Sequence, residues 1–202
     1  MKKIGLYFGT FNPVHIGHLV IANFMANHTD LEEVWMVVTP HNPLKNRAEL
    51  LPDEHRLQMV RLAIVDNPKV WASDVEFDLP QPNFTTNTLD FLVKEHSDCE
   101  FTLIMGEDNL RSLDKWKDHN RILEQFDILV YPISQTEGET RLEPVNGLDF
   151  SRVKICDAPM IKISSTFLRN SIQNQKDVRY LIPDKVINYI SNNYLYENRE
   201  EH

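Results

Sequence analysis

Short apolar runs bounded by turn residues alternate along this chain with segments in which apolar residues recur at helical spacing. A succession of strand, helix and parallel strand is typical of an α/β fold. The pattern predicts a Rossmann-like, doubly wound parallel sheet with C-terminal helices. The predicted strands cover residues 3–8, 32–38, 69–77, 101–105, 127–133 and 152–156. The predicted helices cover 15–25, 53–67, 88–96, 119–126, 165–173 and 183–194, and the segment 134–147 is predicted to be a loop.

The composition limits which functions the chain can have. No repeat, low-complexity tract or linker divides the 202 residues, so we expect a single domain over 1–202. The formal net charge of −9 at pH 7 argues against a general nucleic-acid binder, because such affinity for phosphates needs an excess of Lys and Arg. Any phosphate site must therefore be local. Cys99 and Cys156 lie far apart without CxxC spacing, which favours neither a disulfide framework nor a zinc site.

The apolar segments are short. The run before Gly9 is too brief for the core of a signal peptide, and no later run approaches the length needed to span a membrane. We therefore expect a cytoplasmic protein that has no membrane partner.

The loop after the first predicted strand is the prime candidate for a ligand site, because folds of this type bind ligands at the carboxyl ends of their strands. It lacks the GxGxxG fingerprint of dinucleotide binding. Instead, Gly9 permits a tight exit from the strand, and Asn12 and Pro13 favour a turn before a helix whose N-terminal N–H groups attract anions. His15 and His18, one turn apart, can donate hydrogen bonds to phosphate oxygens.

Two other interpretations of the histidine pair stay open at this point. A histidine near a helix start is often only a partly exposed polar residue. A metal site is less favoured, because HIGH has no intervening Glu as in HExxH and no obvious third ligand nearby. Gly17, between the histidines, removes a side chain where a flat base could approach the helix.

Two strings in the chain resemble the signatures of the nucleotidyltransferase superfamily. GTFNPVHIGH, at residues 9–18, resembles the signature (T/S)F(D/N)PxHxGH, and ISSTFLR, at 163–169, resembles ISSTxxR. Four further segments are similar to those of bacterial nicotinate-nucleotide adenylyltransferases, namely PHNPLK, NFTTNTL, MGEDNL followed by Trp116, and RYLIPDKVINYI. The resemblance covers nearly the whole chain. Two residues depart from the pattern: Phe8 stands where a second glycine is usual, and Asn12 where Asp is usual.

The resemblance implies that a mononucleotide phosphate attacks the α-phosphorus of ATP, releasing pyrophosphate without a protein nucleophile. It implies that the catalytic residues are His15, His18 and Arg169. It implies that these three bind ATP together with Gly9, Thr10, Phe11, Gly106, Asp108, Ile163, Ser164 and Ser165. The residues implied for nicotinate mononucleotide are Asn42, Lys45, Thr85 and Trp116. Mg²⁺ is expected to arrive with ATP, since no clustered carboxylates form a dedicated metal site.

The second signature also has a physical interpretation. Ser164, Ser165 or Thr166 can cap the following helix and so place a second helix N-terminus at the triphosphate. Arg169 lies four residues after Ser165, on the same helix face, and its planar guanidinium can bind phosphate through two hydrogen bonds. Taken alone, the segment could equally be an ordinary capped helix with a surface arginine.

Other functions remain as alternatives. Pantetheine-phosphate adenylyltransferases and glycerol-phosphate cytidylyltransferases share the first signature, although both are typically shorter and the former usually has Thr at the position of His15. A non-catalytic nucleotide sensor and a metal-dependent hydrolase are further candidates. Asp108 could instead be a helix cap, and Trp116 a core anchor. The sequence leaves open a homo-oligomer and the strictness with which nicotinate is preferred over nicotinamide mononucleotide.

Overall fold

A computed structural model describes residues 1–40, 50–133 and 148–197 of the chain. Within these ranges, six parallel strands form one sheet in the order β3-β2-β1-β4-β5-β6. The strands are β1 (Lys2–Gly9), β2 (Glu33–Val38), β3 (Val70–Ser73), β4 (Cys99–Gly106), β5 (Asp127–Tyr131) and β6 (Val153–Ile155). The predicted doubly wound sheet is thereby confirmed, and its order is the one expected for two βαβαβ halves.

Helices connect the first five strands and follow β6. They are α1 (Ile16–His28), α2 (Asp53–Ile64), α3 (Thr85–Glu95), α4 (Glu107–Arg111), α5 (His119–Gln125), α6 (Ser165–Gln173) and α7 (Asp184–Asn192). The predicted C-terminal helices are confirmed as α6 and α7. None of the helices in the described part of the chain is long and apolar enough to cross a membrane.

The sheet separates two hydrophobic clusters, and β1 contributes to both. Ile4 and Leu6 belong to one cluster and Tyr7 to the other, as expected when successive side chains of a strand point to opposite faces. Helices α1 and α2 cover the cluster that contains Tyr7, and helix α3 covers the cluster that contains Ile4. Burial on both faces explains why the strands appear in the sequence as nearly continuous apolar runs.

Several predicted boundaries need correction: α1 ends three residues later than predicted, at His28, and α2 three residues earlier, at Ile64. The third strand ends at Ser73 rather than 77, because the Phe77 N–H bonds the Asp74 carbonyl in a turn and Glu76 points its carboxylate inward to the Thr88 hydroxyl (2.8 and 2.7 Å). The segment predicted as a polar loop after β4 contains α4 and a short 3₁₀ helix, Leu113–Lys115. These two helices are too short to show an apolar period. Helix α3 begins at Thr85, three residues earlier than predicted.

The direction of winding reverses between β1 and β4, which are neighbours in the sheet. Their carboxyl ends are Gly9 and Gly106. In doubly wound sheets the crevice beside this point is the usual ligand position, and the sequence places the HIGH motif directly after β1.

Candidate active site

A pocket of about 550 Å³ opens at the carboxyl ends of the strands, at the point where the winding reverses. It is lined by residues 7–12, the start of α1, 108–109, 131–133, several residues between 159 and 166, and Arg169. Ten of the residues expected to bind ATP lie in this lining: Gly9, Thr10, Phe11, His15, His18, Asp108, Ile163, Ser164, Ser165 and Arg169. The structure thus brings both signatures to one cavity, although they are about 150 residues apart in the sequence.

The two histidines stack on each other at the start of α1. Their ring centroids lie 3.7 Å apart at an interplanar angle of 23°. The backbone N–H of His15 donates to Nδ1 of His18 at 3.3 Å. A neutral His18 then carries its proton on Nε2, so the hydrogen-bond donor of this ring is Nε2. The ring of Phe11 meets that of His18 edge-on at 5.0 Å and limits its rotation.

His15 is almost completely buried, with 5% of its surface exposed. Burial lowers the pKa of its imidazole to about 4, so the ring is neutral near pH 7. Its Nδ1 has no hydrogen-bond partner among the described residues. This atom is covered by protein and faces the start of α1, beside Gly17.

Gly17 lines the pocket, as expected, and also has a packing role that the sequence did not indicate. A Cβ at this position would lie 3.1 Å from both Cε1 and Nδ1 of His15. The glycine therefore leaves room for the imidazole of His15 in its stacked position.

Asn12 shows how the chain accommodates the loss of the usual Asp. The residue is 1% exposed, and its Oδ1 accepts hydrogen bonds from the Tyr196 hydroxyl at 2.8 Å and from the Leu51 N–H at 3.4 Å. Burial raises the pKa of Tyr196, which keeps this hydroxyl protonated as a donor. A neutral amide thus accepts both hydrogen bonds without placing a charge in the interior. Phe8, the other departure, lines the pocket and packs against the cluster that contains Ile4.

The second signature forms the opposite wall of the pocket. Ser164 is the residue that caps α6, since its Oγ accepts from the Phe167 N–H at 3.2 Å. Ser165 instead donates to the Pro13 carbonyl at 2.9 Å, and Nη1 of Arg169 donates to the Asn12 carbonyl at 3.0 Å. Helix α6 is thereby fastened to the loop that precedes α1, and the N-termini of both helices face one cavity.

The segments after β4 and β5 supply further polar groups. Asp108 is exposed in the pocket and accepts the Asn109 N–H at 2.8 Å, whereas Gly106 lies behind it as the N-cap of α4. The sequence did not indicate Tyr7 and Tyr131, whose hydroxyl oxygens lie 3.3 Å apart. Burial raises the pKa of both phenols, so they remain neutral. Tyr7 appears in the sequence as an ordinary strand residue, and no motif signals its partner.

Thr85 and Trp116 lie outside this pocket, on two segments that contact each other. Thr85 is the first residue of α3, and the ammonium of Lys117, next to Trp116, lies 4.9 Å from the ring centroid of Phe84. Trp116 is half-buried against the apolar cluster that contains Ile4, and its Nε1 has no partner among the described residues. Its position therefore combines a packing role with an unused hydrogen-bond donor. Asn42 and Lys45, also expected to bind the mononucleotide, lie outside the described residues.

The described residues include no group of three or more His, Cys, Asp or Glu side chains that could hold a metal ion. Asp108 is a carboxylate of the pocket lining. A single carboxylate suits a Mg²⁺ ion that keeps water and phosphate oxygens as its other ligands.

Comparison of the sequence with known proteins agrees with the geometry of the site. A model of the cytidylyltransferase-like family matches residues 6–171, a span that contains both signatures and all of the sheet except the first half of β1. A probable nicotinate-nucleotide adenylyltransferase of Flavobacterium johnsoniae is 52% identical over 195 residues, covering 96% of this chain and 99% of the relative. One of Bacteroides fragilis is 45% identical over 180 residues, covering 89% and 87%. The chain belongs to the nicotinate-nucleotide adenylyltransferase family.

Solved structures show the same fold. A nicotinic acid mononucleotide adenylyltransferase of Plasmodium falciparum, complexed with NaAD, aligns with a TM-score of 0.80 at 20% identity, covering 97% of this chain and 98% of that one. A putative nicotinate-nucleotide adenylyltransferase from Vibrio parahaemolyticus aligns with a TM-score of 0.71 at 22% identity, covering 97% and 96%. At these identities the likeness concerns the architecture.

Proposed function

We propose that this chain transfers the AMP moiety of ATP to nicotinate mononucleotide, forming nicotinate adenine dinucleotide and pyrophosphate in NAD biosynthesis. The family membership fits this reaction. The observation that supports it most strongly is the convergence of His15, His18, Arg169 and two helix N-termini on one cavity at the reversal point of the sheet. These groups are neutral or cationic donors, as a polyphosphate requires.

The reaction needs positioning and charge stabilisation rather than a protein nucleophile. The attacking oxygen belongs to a phosphate that is already ionised, so the enzyme must hold two polyanions with the attacking and leaving oxygens in line. His18 donates from Nε2 to an oxygen of the α-phosphate and stabilises the charge that develops there during transfer. His15, whose ring lines the pocket as a neutral imidazole, contacts the triphosphate beside it.

The leaving pyrophosphate is bound by the second signature. The N–H groups at the start of α6, at Ser164 and Ser165, face the triphosphate together with Ile163. Arg169, which lines the pocket, binds the leaving oxygens through its planar guanidinium. Gly9, Thr10 and Phe11 form the floor beside them.

The ribose of ATP and the mononucleotide bind to other segments than the triphosphate. Asp108, behind which Gly106 provides the turn, accepts hydrogen bonds from ribose hydroxyls. The indole of Trp116 stacks on the pyridine ring, and Thr85 with the first N–H groups of α3 binds the nicotinate carboxylate. Asn42 and Lys45 complete this proposal for the mononucleotide and its phosphate.

The metal and the location of the enzyme belong to the same proposal. Mg²⁺ enters with ATP and neutralises part of the triphosphate charge, since the pocket offers a carboxylate rather than a full set of ligands. The chain works in the cytoplasm, where its free thiols at Cys99 and Cys156 are stable. The substrates are small molecules, and no nucleic acid or membrane takes part. The chain is one domain, and the proposal holds equally for a monomer and a homo-oligomer.

The test is product analysis with purified protein, ATP, Mg²⁺ and nicotinate mononucleotide. We expect equal amounts of nicotinate adenine dinucleotide and pyrophosphate. Binding of ATP without pyrophosphate release would indicate a nucleotide sensor. Release of phosphate from ATP without the mononucleotide, abolished by metal removal from the protein, would indicate a hydrolase.

A further inference from the structure

Helix α2 carries an arginine whose side chain is completely buried. Arg56 has an exposed side-chain fraction of 0% and is among the largest fully buried side chains of the described residues. Guanidinium groups are almost never buried in this way unless every charge and donor is satisfied, because desolvation is costly. Burial lowers the pKa of Arg56, but the nearby carboxylate of Asp53 opposes this effect. The position therefore needs a reason beyond packing.

The five N–H donors of Arg56 match five acceptors. Nε donates to one carbonyl at 3.1 Å, Nη1 to two carbonyls at 2.8 Å each, and Nη2 to one carbonyl at 3.3 Å and to one carboxylate. The acceptors are the backbone carbonyls of Leu51, Thr10, Thr39 and Pro40 and the side chain of Asp53. One planar group thus joins the loop after β1, the end of β2 and the start of α2.

Thr10 belongs to the loop that forms the floor of the ATP pocket. Two nearby carbonyls are also engaged: that of Gly9 accepts from the Thr39 N–H at 2.9 Å, and that of Asn12 accepts from Arg169 at 3.0 Å. Carbonyl oxygens are the negative ends of the peptide dipoles and would repel phosphate if they turned toward it. Donors that hold these carbonyls in place thus keep the loop fit to receive an anion.

We propose that Arg56 is a positioning residue for ATP, which fixes the Thr10 carbonyl away from the triphosphate and holds the loop after β1 in its binding conformation. The inference rests on the proposed function, because it takes ATP as the occupant of the pocket. Arg56 acts through the backbone and does not touch the nucleotide. Lysine cannot replace it, because an ammonium has three donors and no planar fork.

The first test compares Arg56→Lys with Arg61→Lys. Arg61 is on the same helix, but its side chain is 54% exposed and pairs with Asp74 at 3.2 Å. In Arg56→Lys we expect the KM for ATP to rise about tenfold or more, since a small misplacement of binding groups can have effects of this size. The KM for nicotinate mononucleotide should rise as well, because Arg56 also holds the carbonyls at both ends of the segment that carries Asn42 and Lys45. Arg61→Lys should leave both constants unchanged.

The thermal shift produced by ATP alone should also shrink in Arg56→Lys. A folded Arg56→Lys protein with an unchanged KM for ATP and an unchanged ATP-induced thermal shift would overturn the proposal. If Arg56→Lys does not fold, Asp53→Ala decides, with Glu54→Ala as its control in the same helical turn. Asp53→Ala should raise the KM for ATP at least threefold over Glu54→Ala, and equal values would overturn the proposal.

Failure of the proposed function gives a different result. A wild-type protein that forms no dinucleotide from ATP and nicotinate mononucleotide would refute the proposed function. The ATP-induced thermal shift would still test Arg56, because it depends on nucleotide binding alone. Equal shifts in wild type and Arg56→Lys would then overturn the positioning role.

Discussion

Replacement of His18 tests the histidine that we place on the α-phosphate. His18→Asn is the informative change, because the amide oxygen of Asn can still accept the His15 N–H that now bonds Nδ1 at 3.3 Å, while no donor remains at the position of Nε2. Loss of one donor to a transition-state oxyanion lowers kcat by about 10²–10³, or roughly 3–4 kcal/mol. His18→Ala should lose as much activity and, in addition, some stability, because the His15 N–H loses its acceptor.

The assay measures pyrophosphate release at saturating ATP and nicotinate mononucleotide, together with the melting temperature of each variant. We expect His18→Asn to melt within a few degrees of wild type while its kcat falls at least about a hundredfold. His18→Gln, which brings an amide N–H close to the position of Nε2, should recover part of the loss. A kcat of His18→Asn within threefold of wild type would refute the role of Nε2.

Three other outcomes follow from the same geometry. Arg169→Lys should lower kcat/KM by about 10–100-fold, because an ammonium cannot reproduce charge-assisted bonds from a planar fork, and pyrophosphate formation within twofold of wild type would make Arg169 a bystander. The imidazole of His15 has a pKa of about 6.5 in the unfolded chain and about 4 in the folded chain, where burial disfavours the charged form. The free energy of unfolding of wild type should therefore fall by about 3 kcal/mol relative to His15→Asn as the pH is lowered from 7 to 4. Equal pH profiles in denaturant titrations would contradict this. Trp116→Ala should raise the KM of nicotinate and nicotinamide mononucleotides together, since stacking does not read the carboxylate, and loss of folding in circular dichroism would favour the core-anchor role.

The fold follows closely from the sequence, because burial on both sheet faces and amphipathic helices leave a clear apolar pattern. The local geometry at the two signatures also follows from the sequence. Asn12 and Pro13 mark the turn, and a serine precedes α6 as its cap. The prediction was wrong where a polar side chain turns inward. Strand β3 ends at Ser73, four residues before the predicted boundary, and Glu76 just beyond it bonds Thr88, 12 residues further along the chain.

The candidate site was predicted only in part. A motif indicates which side chains are candidates for phosphate binding. It gives no information about groups such as Arg56 that bond the carbonyls of the loop after β1. Arg56 has the spacing of any polar residue on an amphipathic helix, and only the three-dimensional structure brings four carbonyls around it. The distance between the ATP pocket and Thr85 or Trp116 likewise depends on packing between α3 and the segment after β4, and no local pattern encodes it.

The most direct measurement of the central claim is kcat/KM for nicotinate mononucleotide against nicotinamide mononucleotide, at saturating ATP and Mg²⁺, in wild type and Thr85→Val. Hydrogen bonds to a charged carboxylate contribute roughly 1.5–3 kcal/mol each, so two contacts at the start of α3 should favour the nicotinate form by about a hundredfold or more. Thr85→Val should erode this ratio. Equal efficiency for the two mononucleotides in wild type would contradict nicotinate recognition, and no turnover of either would contradict the adenylyltransferase itself.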